Sequence, residues 1–311
     1  MNAVLILPAR NEAECIEEVI AEARQHFSGE IIVVDNGSSD DTAERAAAVG
    51  ARVVREPVPG YGRACMAGVR AAPNADAYVF MDADGSDCPE DIPELLAALE
   101  DGAGLALGVR TGTRVAPGSI APAARFGNWL SGTLIGMGTG RKLRDLSPLK
   151  ALTRETLNTI ALSEMTYGWT VELLAVAASK EVTIKEVETG YRHRMGGRSK
   201  VSGTVPGSIR AGYRILFVLG RAGTRQMGKG TAGGAAAATV LALTAIAAYT
   251  TWLFAQRLLS RDVLVSSWLL AWPTMLAGAL LGTMIGSVFS RGRKGRDSPA
   301  YVTAGAVSAF Q

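Results

Sequence analysis

Short apolar runs alternate with amphipathic stretches over the first two thirds of this chain, and few folds accommodate that alternation. Residues 4–7, 31–34, 52–54, 78–81 and 105–109 each read as a strand. Between them Ala13, Ile16, Val19, Ile20 and Ala23 recur at helical spacing, as do Ile92, Leu95, Leu96 and Leu99. Strands and helices in alternation build a mostly parallel sheet covered by helices. Three of the strands run into polar loops: Pro8 to Glu12, Asp35 to Asp41, and Asp82 to Asp84. Ligands of open α/β sheets bind outside the carboxyl ends of the strands, so these loops predict one shared site.

The fourth run, Tyr-Val-Phe-Met, ends in Asp82-Ala83-Asp84. Two carboxylates one residue apart repel each other, and a divalent cation carrying phosphate oxygens offsets that repulsion. An acidic turn before a helix starting near Pro89 is the other reading, with Ser86 and Asp87 as N-cap residues. The pair alone leaves both open; the coincidence of three polar strand ends favours the cation. A dinucleotide-binding fold fits poorly, because the first strand leads into Pro-Ala-Arg-Asn-Glu and no Gly-x-Gly-x-x-Gly follows. Gly60-Tyr-Gly62 lacks the third glycine and reads instead as a loop reaching the ligand, with Arg63 near a phosphate.

Near residue 230 the composition changes. Residues 235–254 and 263–289 contain no charged side chain, and each reaches the roughly 20 residues that cross a bilayer. They predict two transmembrane helices joined by a tight hairpin. Arg221, Arg225 and Lys229 precede the first, and Arg291, Arg293, Lys294 and Arg296 follow the second, which places both outer ends in the cytoplasm. Arg10, Glu12 and Glu14 interrupt the first apolar stretch, so it does not read as a signal peptide. The three cysteines show no paired spacing and the two histidines, His26 and His193, offer no evident partner for a catalytic thiol. His26 ends a helical pattern. A net charge of +3, with cations clustered near the apolar segments, suits a lipid headgroup or anionic substrate and not a nucleic acid.

Leu7-Pro-Ala-Arg-Asn-Glu-Ala13, Val34-Asp-Asn-Gly-Ser-Ser-Asp-Asp-Thr42 and Met81-Asp-Ala-Asp-Gly85, in this order, resemble the family 2 glycosyltransferases of GT-A fold. Tyr167-Gly-Trp-Thr-Val-Glu172, Glu186-Val and Tyr191-x-x-Arg194-x-x-Gly197-x-Ser199-Lys200 are similar to the dolichyl-phosphate mannose synthase and polyprenyl-phosphate glycosyltransferase branch. The likeness spans residues 2 to about 220. It implies an α/β GT-A nucleotide-sugar-binding fold with the hairpin appended, a nucleotide-diphosphate sugar as donor and a polyprenyl phosphate as acceptor. Pro8, Ala9, Arg10, Glu12, Asp35, Gly37, Arg63, Asp82 and Ala83 are then the nucleotide-sugar residues. Asp82 and Asp84 would hold Mg²⁺ or Mn²⁺, and Asp84, Asp145 and Arg194 would be catalytic. Arg198, Ser199 and Lys200 would add phosphate contacts, with Arg110 and Arg125 as ligands of the acceptor phosphate.

Asp145 reads as a base, an acceptor-orienting residue or a helix N-cap. A phosphate monoester, with a second pKa near roughly 6, needs little help from a base. Two departures stand out: Ser86-Asp87 replaces a frequent glutamine after the second aspartate, and Ser147-Pro148-Leu149 replaces Ser-Gly-Phe. Ile209, Tyr213, Leu216 and Phe217 share one helical face and Arg210, Arg214 and Arg221 another, the pattern of a helix in the headgroup plane, or of a core helix with a basic outer face.

The expected organisation is a cytoplasmic catalytic domain at 1–204, an interfacial helix at 205–230, two spans at 231–290 and a basic tail at 291–311. The protein would be integral to the membrane, with its site on the cytoplasmic side and a homo-oligomer possible. A same-fold transferase with another lipid or glycan acceptor, and a non-catalytic nucleotide-binding adaptor, are the alternatives.

Overall fold

The computed structural model describes residues 1–180 and 182–196. The chain divides into two units at Ala235, and every described residue belongs to the first. The interfacial helix, the two spans and the tail lie outside the described residues, as do Arg198, Ser199 and Lys200. Among the described residues no helix is long and apolar enough to cross a membrane.

All five expected strands form. β1 is Ala3–Ala9, β2 Glu30–Asp35, β3 Arg52–Arg55, β4 Ala77–Phe80 and β5 Leu105–Val115. The helices between them are α1 Ile16–His26, α2 Thr42–Ala48, α3 Tyr61–Ala71 and α4 Ile92–Glu100, the last entered through a 3₁₀ turn at Pro89–Asp91. There follow α5 Pro122–Thr139, β6 Lys150–Thr153, α6 Arg154–Thr159, α7 Trp169–Ser179 and β7 Ile184–Tyr191. One seven-stranded sheet results, in the order β3-β2-β1-β4-β6-β5-β7. β6 is antiparallel to both β4 and β5, while the other pairings are parallel.

Alternate residues of the central strands feed two separate cores, as the two-residue period of a strand requires. Leu5, Leu7, Ile31, Val33 and Val79 meet the apolar stripe of α1 and Ile92, Leu95 and Leu99 of α4. Val4, Ile6, Ile32, Val34, Tyr78 and Phe80 face the other way, toward α3 and α7. Each such fully buried aliphatic side chain contributes about 1.5–3 kcal/mol relative to exposure. At Gly62 of α3, a Cβ would come within 2.7 Å of the Trp169 side chain, so only glycine permits α3 to lie this close to α7.

β6 and β7 were not legible as strands. β6 is four residues long, begins with a lysine, and earns its place only through partners far away in sequence.

Candidate active site

The ends of β1, β2 and β4 open into a cavity of about 700 Å³, walled on its far side by α5, the start of α7 and the segment after β7. Its first wall is the loop after β1, where Asn11 takes a left-handed conformation with φ 52°. That conformation is held by the loop after β2: Asn11 N donates to Ser38 Oγ at 3.0 Å and Ser39 N to Asn11 Oδ1 at 2.8 Å. Glu12 N donates to Thr42 Oγ1 at 2.9 Å, so the two polar loops form one unit. Pro8, Ala9, Arg10 and Glu12 line the cavity as expected.

Asp35 does not line it. Its Oδ1 accepts from Ser38 N at 2.9 Å and shapes the turn that contains Gly37, at φ 73°. Its neighbour Asn36 faces the cavity and donates to the carbonyls of Glu56 and Val58, while Gly60 N donates to Asn36 Oδ1 at 2.7 Å. The Gly60 loop therefore does reach the cavity, through Gly60 and Tyr61. Arg63, expected near a phosphate, is not among the lining residues; it lies two residues past Tyr61, and its backbone N–H donates to Met165 O.

Asp82 and Asp84 stand at the end of β4 with Ala83 between them, all three on the cavity wall. Asp87 joins them from beneath: it is buried, and its Oδ2 accepts from Asp82 N at 2.9 Å. This is why the N-cap reading of Ser86 and Asp87 is incorrect. The 3₁₀ turn at Pro89 has no side-chain cap, and Ser86 donates its N–H and hydroxyl to Asp84 Oδ1 instead. Burial, then the adjacent Asp84 charge, push the Asp82 carboxyl up to about 6, and burial with the Asp82 charge raises Asp87 well above its ordinary value.

The cation nearest this acidic group comes from the far end of the described chain. Arg194 donates from Nη2 to both Glu12 oxygens at 2.8 Å, and its Nη1 lies 3.2 Å from Asp84 Oδ2. The strap that carries it is laced to the β4 loop by Met195 N to Asp84 O at 2.9 Å and Arg192 N to Ser86 O at 2.7 Å. Met195 rests on Gly85, whose φ of 76° and lack of a side chain let it come so close.

A second ionic unit sits on the opposite wall. Asp145 accepts from Arg110 Nε at 2.8 Å and Nη2 at 2.9 Å, from Asn128 Nδ2 at 2.8 Å, and from the backbone N–H groups of Arg110 and Leu146. Burial alone would raise the Asp145 carboxyl, but the Arg110 hydrogen bonds and charge hold it below its ordinary value. Asp145 is therefore neither a helix N-cap nor a group poised to take a proton; it fixes Arg110, which lines the cavity and stacks over the Tyr191 ring at 4.8 Å. Arg125 is exposed on α5 and away from the lining.

Sequence reasoning missed Lys150. It is fully buried, donates to the carbonyls of Ser147 and Pro148 at 3.0 and 2.7 Å, and burial pushes its ammonium down to about 8. Asn36 and Asn128 were also unassigned, Tyr191 was named only as part of a motif, and Asp87, read as a helix cap, stood inside the acidic motif and was legible there in principle. The Tyr167-to-Glu172 motif is partly architectural. Trp169 packs edge-on to Phe80 at 5.1 Å, and Glu172 accepts from Ser163 and Glu164.

Among the described residues no group of three or more His, Cys, Asp and Glu side chains is arranged to hold a metal ion by itself. The donor set at Asp82 and Asp84 nevertheless suits Mg²⁺ or Mn²⁺, which commonly bind one or two protein carboxylates and complete their shell with substrate phosphates and water.

Comparison with known proteins agrees with this architecture. An uncharacterized glycosyltransferase of Mycobacterium tuberculosis is 39% identical over 66% of this chain and 92% of its own length. A dolichyl-phosphate hexose transferase of Haloferax volcanii is 32% identical over 63% of this chain and 85% of its own. The crystal structure of glucosyl-3-phosphoglycerate synthase from Mycobacterium tuberculosis with Mn²⁺, uridine-diphosphate-glucose and phosphoglyceric acid superposes with a TM-score of 0.56 and 28% identity, covering 70% of this chain and 80% of that one. The family model of glycosyl transferase family 2 matches residues 4–159, and the chain belongs to that family.

Proposed function

We propose that this glycosyltransferase moves a hexose from a nucleotide-diphosphate sugar to a polyprenyl phosphate, with inversion, at the cytoplasmic face of a membrane that its C-terminal segments span. The observation that carries this reading is the charge arrangement at the end of β4: two cavity-facing carboxylates, Asp82 and Asp84, with Arg194 poised against Asp84 and Glu12. A diphosphate is the ligand that uses both signs. The donor nucleotide then lies along Pro8, Ala9, Arg10 and Glu12, with Asp35 and Gly37 shaping its loop from behind. Asp82 and Asp84 would hold Mg²⁺ or Mn²⁺, which when bound neutralises charge developing on the departing diphosphate.

An acceptor phosphate oxygen forms a bond to the anomeric carbon while the bond to the diphosphate oxygen breaks, and the nucleoside diphosphate departs with the electron pair. The acceptor is already largely dianionic at neutral pH, so no protein base is required. That agrees with Asp145, whose hydrogen bonds commit it to orienting Arg110. Arg194 moves from Asp84 to the diphosphate, and Arg110 meets the acceptor phosphate. Arg125, Arg198, Ser199 and Lys200 supply further cationic or polar contacts to the lipid headgroup, from the domain 1–204. The apolar and basic faces that the sequence gives the 205–230 stretch suit contact with a headgroup plane. The dolichyl-phosphate hexose transferase relative supports the lipid acceptor.

A small phosphorylated acid as acceptor is the second reading, favoured by the glucosyl-3-phosphoglycerate synthase likeness. Both are tested by incubating membranes containing the protein with labelled UDP- and GDP-sugars, Mn²⁺ or Mg²⁺, and either polyprenyl phosphate or phosphoglycerate. Label in a mild-acid-labile organic extract that requires the prenyl phosphate is expected. Label only in a water-soluble product that requires phosphoglycerate would overturn the lipid reading.

A further inference from the structure

Three of the hydroxyl-bearing residues of α5 are placed on its structure in two different ways. Thr133 and Thr139 close their hydroxyls onto carbonyls four residues back, Trp129 O at 2.8 Å and Ile135 O at 2.7 Å. This is the default for a hydroxyl inside a helix. Ser131 breaks it. Its Oγ is fully buried, lines the cavity, and has no protein hydrogen-bond partner. Buried hydroxyls are seldom left unmatched, so an unmatched one that faces a cavity points to a ligand atom as its partner.

The surroundings say what kind of ligand. Ala124, Asn128 and Ser131 fall on one face of α5, and with Ala121 just before the helix all line the cavity, so small side chains leave room beside the hydroxyl. Thr170, at the start of α7, lines it too. Arg110, the cation on this wall, is bound in bidentate fashion to Asp145, and Asn128 braces the same carboxylate. The wall thus offers hydroxyl and amide groups and no uncompensated charge. Beside Ser131 that suits an uncharged polyol, with Arg110 left to the acceptor phosphate and the β4 end to the diphosphate.

We propose that Ser131 hydrogen-bonds a hydroxyl group of the transferred hexose, making the α5 wall the subsite that selects the sugar; the proposal rests on the transferase reading above. The test uses the full-length protein in membranes, its preferred nucleotide sugar, and the monodeoxy analogues of that sugar, with wild type, Ser131→Ala and Ser131→Cys. In the wild type, one deoxy position should lower kcat/KM by about tenfold or more, because a site built to bind a hydroxyl rejects the analogue lacking it. In Ser131→Ala that ratio should fall toward one, the ratios at other positions and the acceptor KM should hold, and Ser131→Cys should fall between. An unchanged set of deoxy ratios in Ser131→Ala, or an effect confined to acceptor KM, would overturn the proposal. If no donor is turned over at all, the transferase reading fails separately. Calorimetric binding of the parent and deoxy sugar nucleotides then decides Ser131 alone: a Ser131-dependent difference supports it and equal affinities overturn it.

Discussion

Asp84 and Asp145 are both acidic and both belong to ionic groups, yet their surroundings assign them different work. Asp84 faces the cavity and is contacted by Ser86 and by Arg194, a partner that donor binding can draw away. Asp84→Ala should lower sugar transfer by about 10²-fold or more, the scale for losing one strong stabiliser of developing charge. The thermal midpoint should change little; retained turnover would sink the assignment. Asp145, by contrast, is a structural acid. Breaking its buried pair with Arg110 by Asp145→Asn should cost on the order of 3 kcal/mol at neutral pH. Its folded pKa lies below the unfolded value of about 3.9, so its contribution is full above that value and is lost as pH falls through the folded one. The stability gap between wild type and Asp145→Asn, followed by denaturant unfolding, should therefore hold from neutral down to about pH 4 and narrow only as the solution is acidified below that. A gap independent of pH would contradict the pairing.

Among the elements, the packing of α3 on α7 decides how the cavity is walled, because Tyr61 begins α3 and Trp169 begins α7. Gly62 is the contact between them. Gly62→Ala would place a methyl 2.7 Å from Trp169, forcing the two helices apart. Overpacking of this kind typically costs about 1–3 kcal/mol. The expected outcome is a lower thermal midpoint together with weaker donor binding, measured by melting and by nucleotide titration. A variant as stable as wild type would show that Trp169 can yield. The strands and helices of this half were readable because their signals are local. The apolar run of β4, the stripe of α1 and the stripe of α4 each declare themselves within a dozen residues. β6 carries no such signal, and the strap at 191–196, although its motif marks Arg194, does not show in sequence that Arg194 meets Glu12 and Asp84.

At the scale of the whole molecule, the catalytic unit and the apolar C-terminal segments make separate predictions. Residues 235–254 and 263–289 are uncharged and long enough to span a bilayer. After alkaline carbonate extraction, full-length protein should stay in the membrane pellet. Release into the supernatant would remove the anchor, although the lipid-acceptor reading would then still stand or fall by the transfer assay.

What the sequence by itself determined is local in origin: the alternation that makes a helix-covered parallel sheet, the polar ends of β1, β2 and β4, and the acid pair Asp82 and Asp84. Period and composition are properties of neighbouring residues, so they survive without knowledge of the fold. Only the tertiary structure decided which distant groups complete the site. Arg194 meets Glu12 across 182 positions, Arg110 meets Asp145 across 35, and Asp87 turned from a helix cap into a support for Asp82. Nothing near any of these residues in sequence names its partner, because the partner is chosen by strand order and packing. Ser131 likewise became visible only when α5 folded against the cavity and left its hydroxyl without a protein acceptor.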